Sequence, residues 1–167
     1  ELINMKENRG HARCIASGLK YIFEKKEFDF VIPMDGDGED RPEEIKYFIE
    51  LSQQAGDKSI LGERVKRSEG LIFKVCYQFH KFLTLAFTGQ SIKFGNFTCL
   101  SLSTVKKMLE EKATWNSFSG SLKKIEKELI STPSVRGKRY FGPSQMSFFN
   151  LLKHSLSIIS VFRKTVL

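Results

Sequence analysis

The stretch Met34-Asp35-Gly36-Asp37-Gly38-Glu39-Asp40 places four carboxylates within six residues. Like charges held this close repel one another, so the loop requires a cation or many hydrogen-bond donors. A hard cation with oxygen ligands is the natural partner, most simply Mg2+ or Mn2+ shared with substrate phosphates. Gly36 and Gly38 leave room for a close backbone approach. Three other readings compete. An EF-hand loop would begin Asp35, Asp37, Glu39, but Asp40 stands where the turn needs glycine and Lys46 stands where the bidentate glutamate belongs. A solvated surface turn needs no ligand. A phosphatase-like aspartate nucleophile also ends a strand, but its partner motifs are not found.

These residues need elements to position them. Ala12, Ile15, Ala16, Leu19, Ile22 and Phe23 recur at helical spacing, so His11 to about Lys26 reads as an amphipathic helix. Phe28 to Met34 reads as a short buried strand, weakened by Pro33, which removes a ladder donor. Asp35 to Arg41 is loop. Pro42 fits the first position of a helix running to about Gln54, with Glu43 and Glu44 complementing its dipole and Ile45, Phe48, Ile49 and Leu51 on its apolar face. Ser59 to Gly62 is a second strand. Ser68 to Phe87 reads as a long helix, apolar on most sides, that must be covered all round. Ile92 to Leu100 holds a third strand, Ser103 caps a helix to about Lys112, and Leu122 to Ile130 is a further charged helix. Pro133 to Pro143 reads as loop. Ser144 to Phe162 closes the chain as a helix with Met146, Phe149, Leu152, Leu156, Ile159 and Phe162 on one side. The alternation of helix and strand predicts an α/β layered fold, with the acidic loop at the C-terminal end of a strand, where open α/β sheets bind ligands.

Charge is unevenly distributed. From Leu129 to Leu167 there is no acidic residue, and Arg136, Lys138, Arg139, Lys153, Arg163 and Lys164 carry six of the net eight positive charges. A basic, aromatic tail suits an anionic surface. Nucleic acid would suit the tail equally, but the acidic loop repels phosphates unless metallated and no groove-reading or stacking motif is present. Cys14, Cys76 and Cys99 match no zinc spacing and no disulfide framework, and read as buried free thiols of a reducing compartment. His11, His80 and His154 form no ligand spacing and read as structural. No run of 18 or more apolar residues occurs.

The order of these segments resembles the family 2 glycosyltransferases that act on polyprenyl phosphates. Here "MDGDGEDRPEE" is similar to the family's "MDADLQDPPE". "NRGHARCIASGL" is similar to its "N.G...A...G" helix, "GERVKRSEG" to its "G.R..R" segment, "FGNFTCLS" to its "GDFRL" segment, and "RGKRYFGPSQM" to its "R..G.SKY" segment. The resemblance covers about Asn8 to Met146. It implies a partial GT-A-type (Rossmann-like), mostly parallel sheet flanked by helices, with a C-terminal amphipathic helix. Residues 1–143 would form the catalytic domain and residues 144–167 a membrane-proximal helix. It also implies that Asp35 faces the nucleotide sugar, that Asp37 and Glu39 ligate Mg2+ or Mn2+, and that Arg64 and Arg67 contact phosphates. Lys74, seven residues beyond Arg67, would reach the same mouth at helical spacing. The family's first strand, with its "IP.YNE" pattern, is not found, so the expectation is a catalytic domain lacking its nucleotide-binding start. Asn96 stands where many relatives carry aspartate, and Gln145 where they carry lysine.

The resemblance thus predicts transfer of a sugar from a nucleotide-sugar donor to a polyprenyl-phosphate acceptor by metal-assisted direct displacement, at the cytoplasmic face of a membrane. Asn96 cannot act as a general base. A phosphate acceptor needs none, because its second pKa is about 6 and its oxygen is already anionic near neutrality. Arg136, Lys138, Arg139, Lys153 and the phenylalanines of the last helix would lie at an anionic membrane surface. The rival expectations are a catalytically inactive membrane-binding module and a transferase with a soluble glycan acceptor.

Overall fold

In a computed structural model, the chain is described over residues 1–66, 78, 85, 94–142 and 148–162. Helix α1 spans His11–Lys25, strand β1 Phe30–Val31, helix α2 Ile45–Ala55 and strand β2 Ile60–Lys66. Strand β3 spans Phe94–Ser101, helix α3 Leu102–Glu110, helix α4 Phe118–Ile125, strand β4 Ile130–Val135 and helix α5 Phe148–Val161. Short 3-10 turns cover Pro42–Glu44 and Lys112–Trp115. Of the long segment expected from Ser68 to Phe87, only Gln78 and Leu85 are described, and both are helical. The remainder of that segment, with Cys76 and His80, lies outside the described residues.

The four described strands form one mixed sheet in the order β1-β3-β2-β4. β3 is antiparallel to both of its neighbours, with Val31 opposite Leu100 and Ile60 opposite Cys99, while β2 and β4 are parallel. The expected mostly parallel sheet is therefore corrected to a mixed one. Alternating helices and strands specify layers, but strand direction depends on how each connection returns, which the alternation does not encode.

Side-chain alternation along the strands divides the core between the two faces. On one face Val31, Leu61 and Leu100 pack with Leu19 of α1, Val105 and Met108 of α3, and Phe118 and Leu122 of α4. On the other, Ile60, Phe97 and Cys99 pack with Phe48 of α2. The Phe48 and Phe97 rings meet edge to face at 4.7 Å, a geometry favoured by the ring quadrupoles. The fold is thus a sheet covered by helices on both sides, each face closed by burial of large side chains worth roughly 1.5–3 kcal/mol apiece.

Several local expectations are revised. β1 is only two residues long, consistent with Pro33 lacking a ladder donor. β2 runs on through Lys66, so Arg64 lies within the strand rather than beyond it, opposite Ser134 of β4. The cap of α3 is Ser101, whose hydroxyl accepts from Thr104 N; Ser103 sits in the first turn and bonds to Ser101. The charged helix ends at Ile125, and the segment read as loop contains β4, with Pro133 inside it. Among the described strands β4 lies at the edge of the sheet, a setting in which proline is tolerated. In α2, Ile49 points outward and Ser52 is buried instead. In α5, Ser155, Ile158, Val161 and Phe162 face inward, whereas Leu152 and Leu156 are exposed. This helix packs through Ile158, Val161 and Phe162 beside Phe94 and Ala113, so one face of it is docked on the domain. Cys14 is exposed, not buried; Cys99 is buried. No helix among the described residues is long and apolar enough to cross a membrane.

Candidate functional site

The acidic loop leaves the C-terminal end of β1 and is drawn together by contacts distant in sequence. Asp35 Oδ1 lies 3.2 Å from His11 Nε2 at the start of α1, and Asn96 Nδ2 donates to the same oxygen at 3.2 Å. Asn96 is buried on β3, so β1, β3 and α1 together fix this carboxylate. The backbone N–H of Asp35 donates to Asp40 Oδ2 at 2.9 Å, folding the loop back on itself. Arg64 on β2 lies over Gly95, where a β-carbon would come within 2.9 Å of its Nη2 atom. Its positive charge favours the ionised forms of both Asp35 and Asp40.

The electrostatics follow from these contacts. The His11 hydrogen bond holds the Asp35 carboxyl below its ordinary range, against a desolvation cost, with Asn96 and Arg64 assisting. The same bond raises the His11 imidazole above its ordinary value. Burial pushes the Asp40 carboxyl up, partly countered by the Asp35 N–H, Arg64 and Arg136. Asp35 is therefore a fixed anion and a poor base, suited to orienting a ligand rather than to accepting a proton.

The other two carboxylates belong to a second set of contacts. Arg139 Nη1 pairs with Asp37 Oδ2 at 3.0 Å, and its Nη2 with Glu39 Oε2 at 3.0 Å. Arg136 Nη2 reaches the same Glu39 oxygen at 2.5 Å. Two backbone bonds reinforce the docking: Gly137 N donates to Glu39 O at 2.9 Å, and Tyr140 N to Asp37 O at 2.8 Å. The segment 136–140 thus forms a strap across the acidic loop. Gly38, at φ 88°, lies under the Tyr140 ring, which would stand 2.7 Å from a β-carbon there. Arg136 and Arg139, expected at a membrane surface, are turned inward to this loop. Lys138, Tyr140 and Phe141 are the exposed residues of the strap and its end. The physical reason is proximity: the carboxylates stand within hydrogen-bond reach and neutralise the two guanidinium groups more strongly than solvent does.

Of the residues singled out by sequence, Asp35, Asp37, Glu39, Asn96 and Arg64 gather around this loop. Arg67, Lys74 and Gln145 lie outside the described residues. Sequence reasoning missed His11, Arg136 and Arg139 as members of the site. His11 is 24 positions from Asp35, and no spacing rule connects them. The excess of cations after Leu129 is visible in the sequence, but not that two of them serve the acidic loop.

The donor set bears on whether a divalent cation fits. Among the described residues no three His, Cys, Asp or Glu side chains group closely enough to hold a metal by themselves. Asp37 Oδ2 and Glu39 Oε2 nonetheless converge on one cation, the Arg139 guanidinium. The two oxygens bond different nitrogens of that guanidinium, Nη1 and Nη2, so an Mg2+ or Mn2+ ion here would take most of its ligands from water and substrate phosphates. No family model matches this chain, and no curated protein matches it.

Proposed function

We propose that this chain is a glycosyltransferase that moves a sugar from a nucleotide-sugar donor to a polyprenyl-phosphate acceptor, in a GT-A-like arrangement of sheet and helices. The observation that carries the reading is the gathering of Asp35, Asp37 and Glu39 in one loop after β1, with Asp37 Oδ2 and Glu39 Oε2 each 3.0 Å from a nitrogen of the Arg139 guanidinium. Asp37 and Glu39 would hold Mg2+ or Mn2+, and the bound ion would neutralise charge on a departing nucleoside diphosphate. Asp35, kept anionic by His11 and Asn96, would orient the donor sugar through its hydroxyls. Arg64 would approach phosphate oxygens from the β2 side, where a guanidinium can bind two of them at once. Asn96 donates to Asp35 and accepts no proton from an acceptor. This favours an acceptor already anionic at neutral pH, such as a lipid phosphate, over a sugar hydroxyl that needs a base.

Calorimetric titration of Mn2+ into the chain, with and without a panel of nucleoside diphosphates, tests the reading. Binding that tightens with a diphosphate and disappears in Asp37→Ala is the expected result. A folded chain that binds no Mn2+ at millimolar concentration, with or without diphosphate, would sink it. A second reading, a membrane-surface module without catalysis, is favoured by one observation: Asp37 and Glu39 are already neutralised by Arg136 and Arg139. Vesicle binding without any metal or nucleotide binding would support that alternative.

A further inference from the structure

We infer that the outer face of α5 and the tip of the strap, residues 138–141, form one contact surface for an anionic lipid membrane. The inference rests on the lipid-acceptor reading for the kind of surface met, and on exposed side chains, not on the acidic loop, for its place. Helix α5 has two apolar faces. Ile158, Val161 and Phe162 turn into the domain beside Phe94 and Ala113, and Ser155 is buried with them. Leu152 and Leu156 stand exposed on the opposite side, together with Lys153. Residues four apart share a helix face, so these leucines form an apolar stripe that docking on the domain leaves uncovered. The strap supplies the second patch. Phe141 is 90% and Tyr140 66% exposed, with Lys138 exposed beside them. The amides of Gly137 and Tyr140 and the Arg139 guanidinium tie the strap to the domain. Phe141 therefore projects from a fixed support.

The two patches are close along the chain. Phe141 and the first residue of α5, Phe148, are seven positions apart, a length of chain that spans at most ~25 Å. Charge selects the partner. Leu2, Ile3 and Met5 are exposed as well, but Glu1 and Glu7 flank them; Tyr47 and Ile49 are exposed beside Glu50. Val135, Tyr140, Phe141, Leu152 and Leu156 instead fall in the stretch from Leu129 to Leu167, which has no acidic side chain. Apolar side chains with cations and without carboxylates suit an anionic bilayer: rings and leucines enter the boundary of headgroups and acyl chains, and lysines meet lipid phosphates. Nucleic acid calls for a denser row of cations, because its affinity grows with the number of phosphates neutralised. Here those five apolar residues stand against two exposed cations, Lys138 and Lys153, among the described residues of this stretch. A second copy of the chain would bring like charges together, which opposes association.

Sedimentation of the full chain with two kinds of vesicle tests the surface: phosphatidylcholine alone, and phosphatidylcholine mixed equally with phosphatidylserine. The chain should sediment with the mixed vesicles and bind phosphatidylcholine alone about tenfold more weakly or worse. Leu152→Ser combined with Leu156→Ser should weaken binding to the mixed vesicles about tenfold or more. Lys138→Gln combined with Lys153→Gln, which alters only solvated groups, should do the same through charge. Tyr47→Ser, on the exposed side of α2 beside Glu50, should change nothing. Circular dichroism of each variant checks that it is folded. No binding to the mixed vesicles, equal binding to both kinds, or a folded leucine variant that binds like the parent would overturn the inference. So would an oligodeoxynucleotide that displaces the vesicles and loses affinity in the lysine variant but not in the leucine variant, since it would assign the surface to nucleic acid. The substituted side chains make no ion pair with the acidic loop among the described residues. Failure here therefore leaves the Mn2+ titration to judge the transferase reading separately.

Discussion

Glu126 offers the sharpest test of how the sheet is held to its helices. It ends α4, and its carboxylate accepts from the Ser59 N–H at 3.1 Å, from the Ser59 hydroxyl at 3.0 Å and from the Thr104 hydroxyl. Ser59 and Thr104 are completely buried. One carboxylate therefore joins the start of β2, the first turn of α3 and the end of α4. In Glu126→Ala the Ser59 N–H loses its acceptor, which costs about 1–3 kcal/mol for a buried donor. The two hydroxyls fare better, since they can turn to each other at 3.5 Å and to Ser101 at 3.2 Å. The total comes to about 2–4 kcal/mol, a large part of the ~5–15 kcal/mol that stabilises a typical domain. With a urea slope near ~2 kcal/mol/M, the unfolding midpoint should fall by about 1–2 M. Glu126→Gln keeps one acceptor oxygen and should lie between the two. The control is Glu128→Ala, two residues on, whose only described contact is the exposed pair with Lys58 at 2.8 Å; its midpoint should not move. If Glu126→Ala and Glu128→Ala shift the midpoint equally, the buried-acceptor reasoning is refuted.

Three further outcomes follow from the site. Gly137→Ala must part the strap from the acidic loop, since its β-carbon would meet Gly38 O at 2.5 Å; an overpacking cost of about 1–3 kcal/mol and accelerated Tyr140 amide exchange are expected, without any change of charge. The His11–Asp35 pair should stabilise the fold only within a pH window. His11 is raised, so its contribution is complete below its ordinary value of 6.5 and fades as pH climbs through the raised one; Asp35 is lowered, so its contribution is complete above 3.8 and fades as pH falls through the lowered one. His11→Ala should thus lower the melting temperature at pH 5.5 and leave it unchanged at pH 9, by well under ~1 kcal/mol because the imidazole is mostly exposed. Phe141 is 90% exposed beside a strap that also presents Lys138; Phe141→Ser should weaken sedimentation with vesicles containing anionic lipid about tenfold, as loss of a buried phenyl predicts, and equal sedimentation of both chains would remove this residue from the membrane surface.

The local grammar of the sequence carries much of the fold. The apolar spacing between Ala12 and Phe23 places α1, and the apolar run before Asp35 places β1, because helix and strand periodicities are short-range properties. Pro42, Glu43 and Glu44 mark the entry to α2, although as a 3-10 turn preceding it. The four carboxylates by themselves announce a locus needing cations. What they do not announce is the identity of those cations. Arg139 pairs across 100 positions with Glu39, and Asn96 donates across 61 to Asp35. Such pairings depend on how strands are ordered, which no window of neighbouring residues encodes. The same limit hides β4, since Pro133 argues against a strand until the segment is known to be an edge. It also hides the antiparallel course of β3 and the inward face of α5, where Ile158, Val161 and Phe162 are chosen by the neighbours they meet rather than by their own spacing. The sequence by itself determined where α1, β1 and α2 lie and where negative charge would gather. The tertiary structure decided which positive groups answer that charge, because Coulomb attraction and hydrogen bonding act through space, at distances that only the packed chain sets.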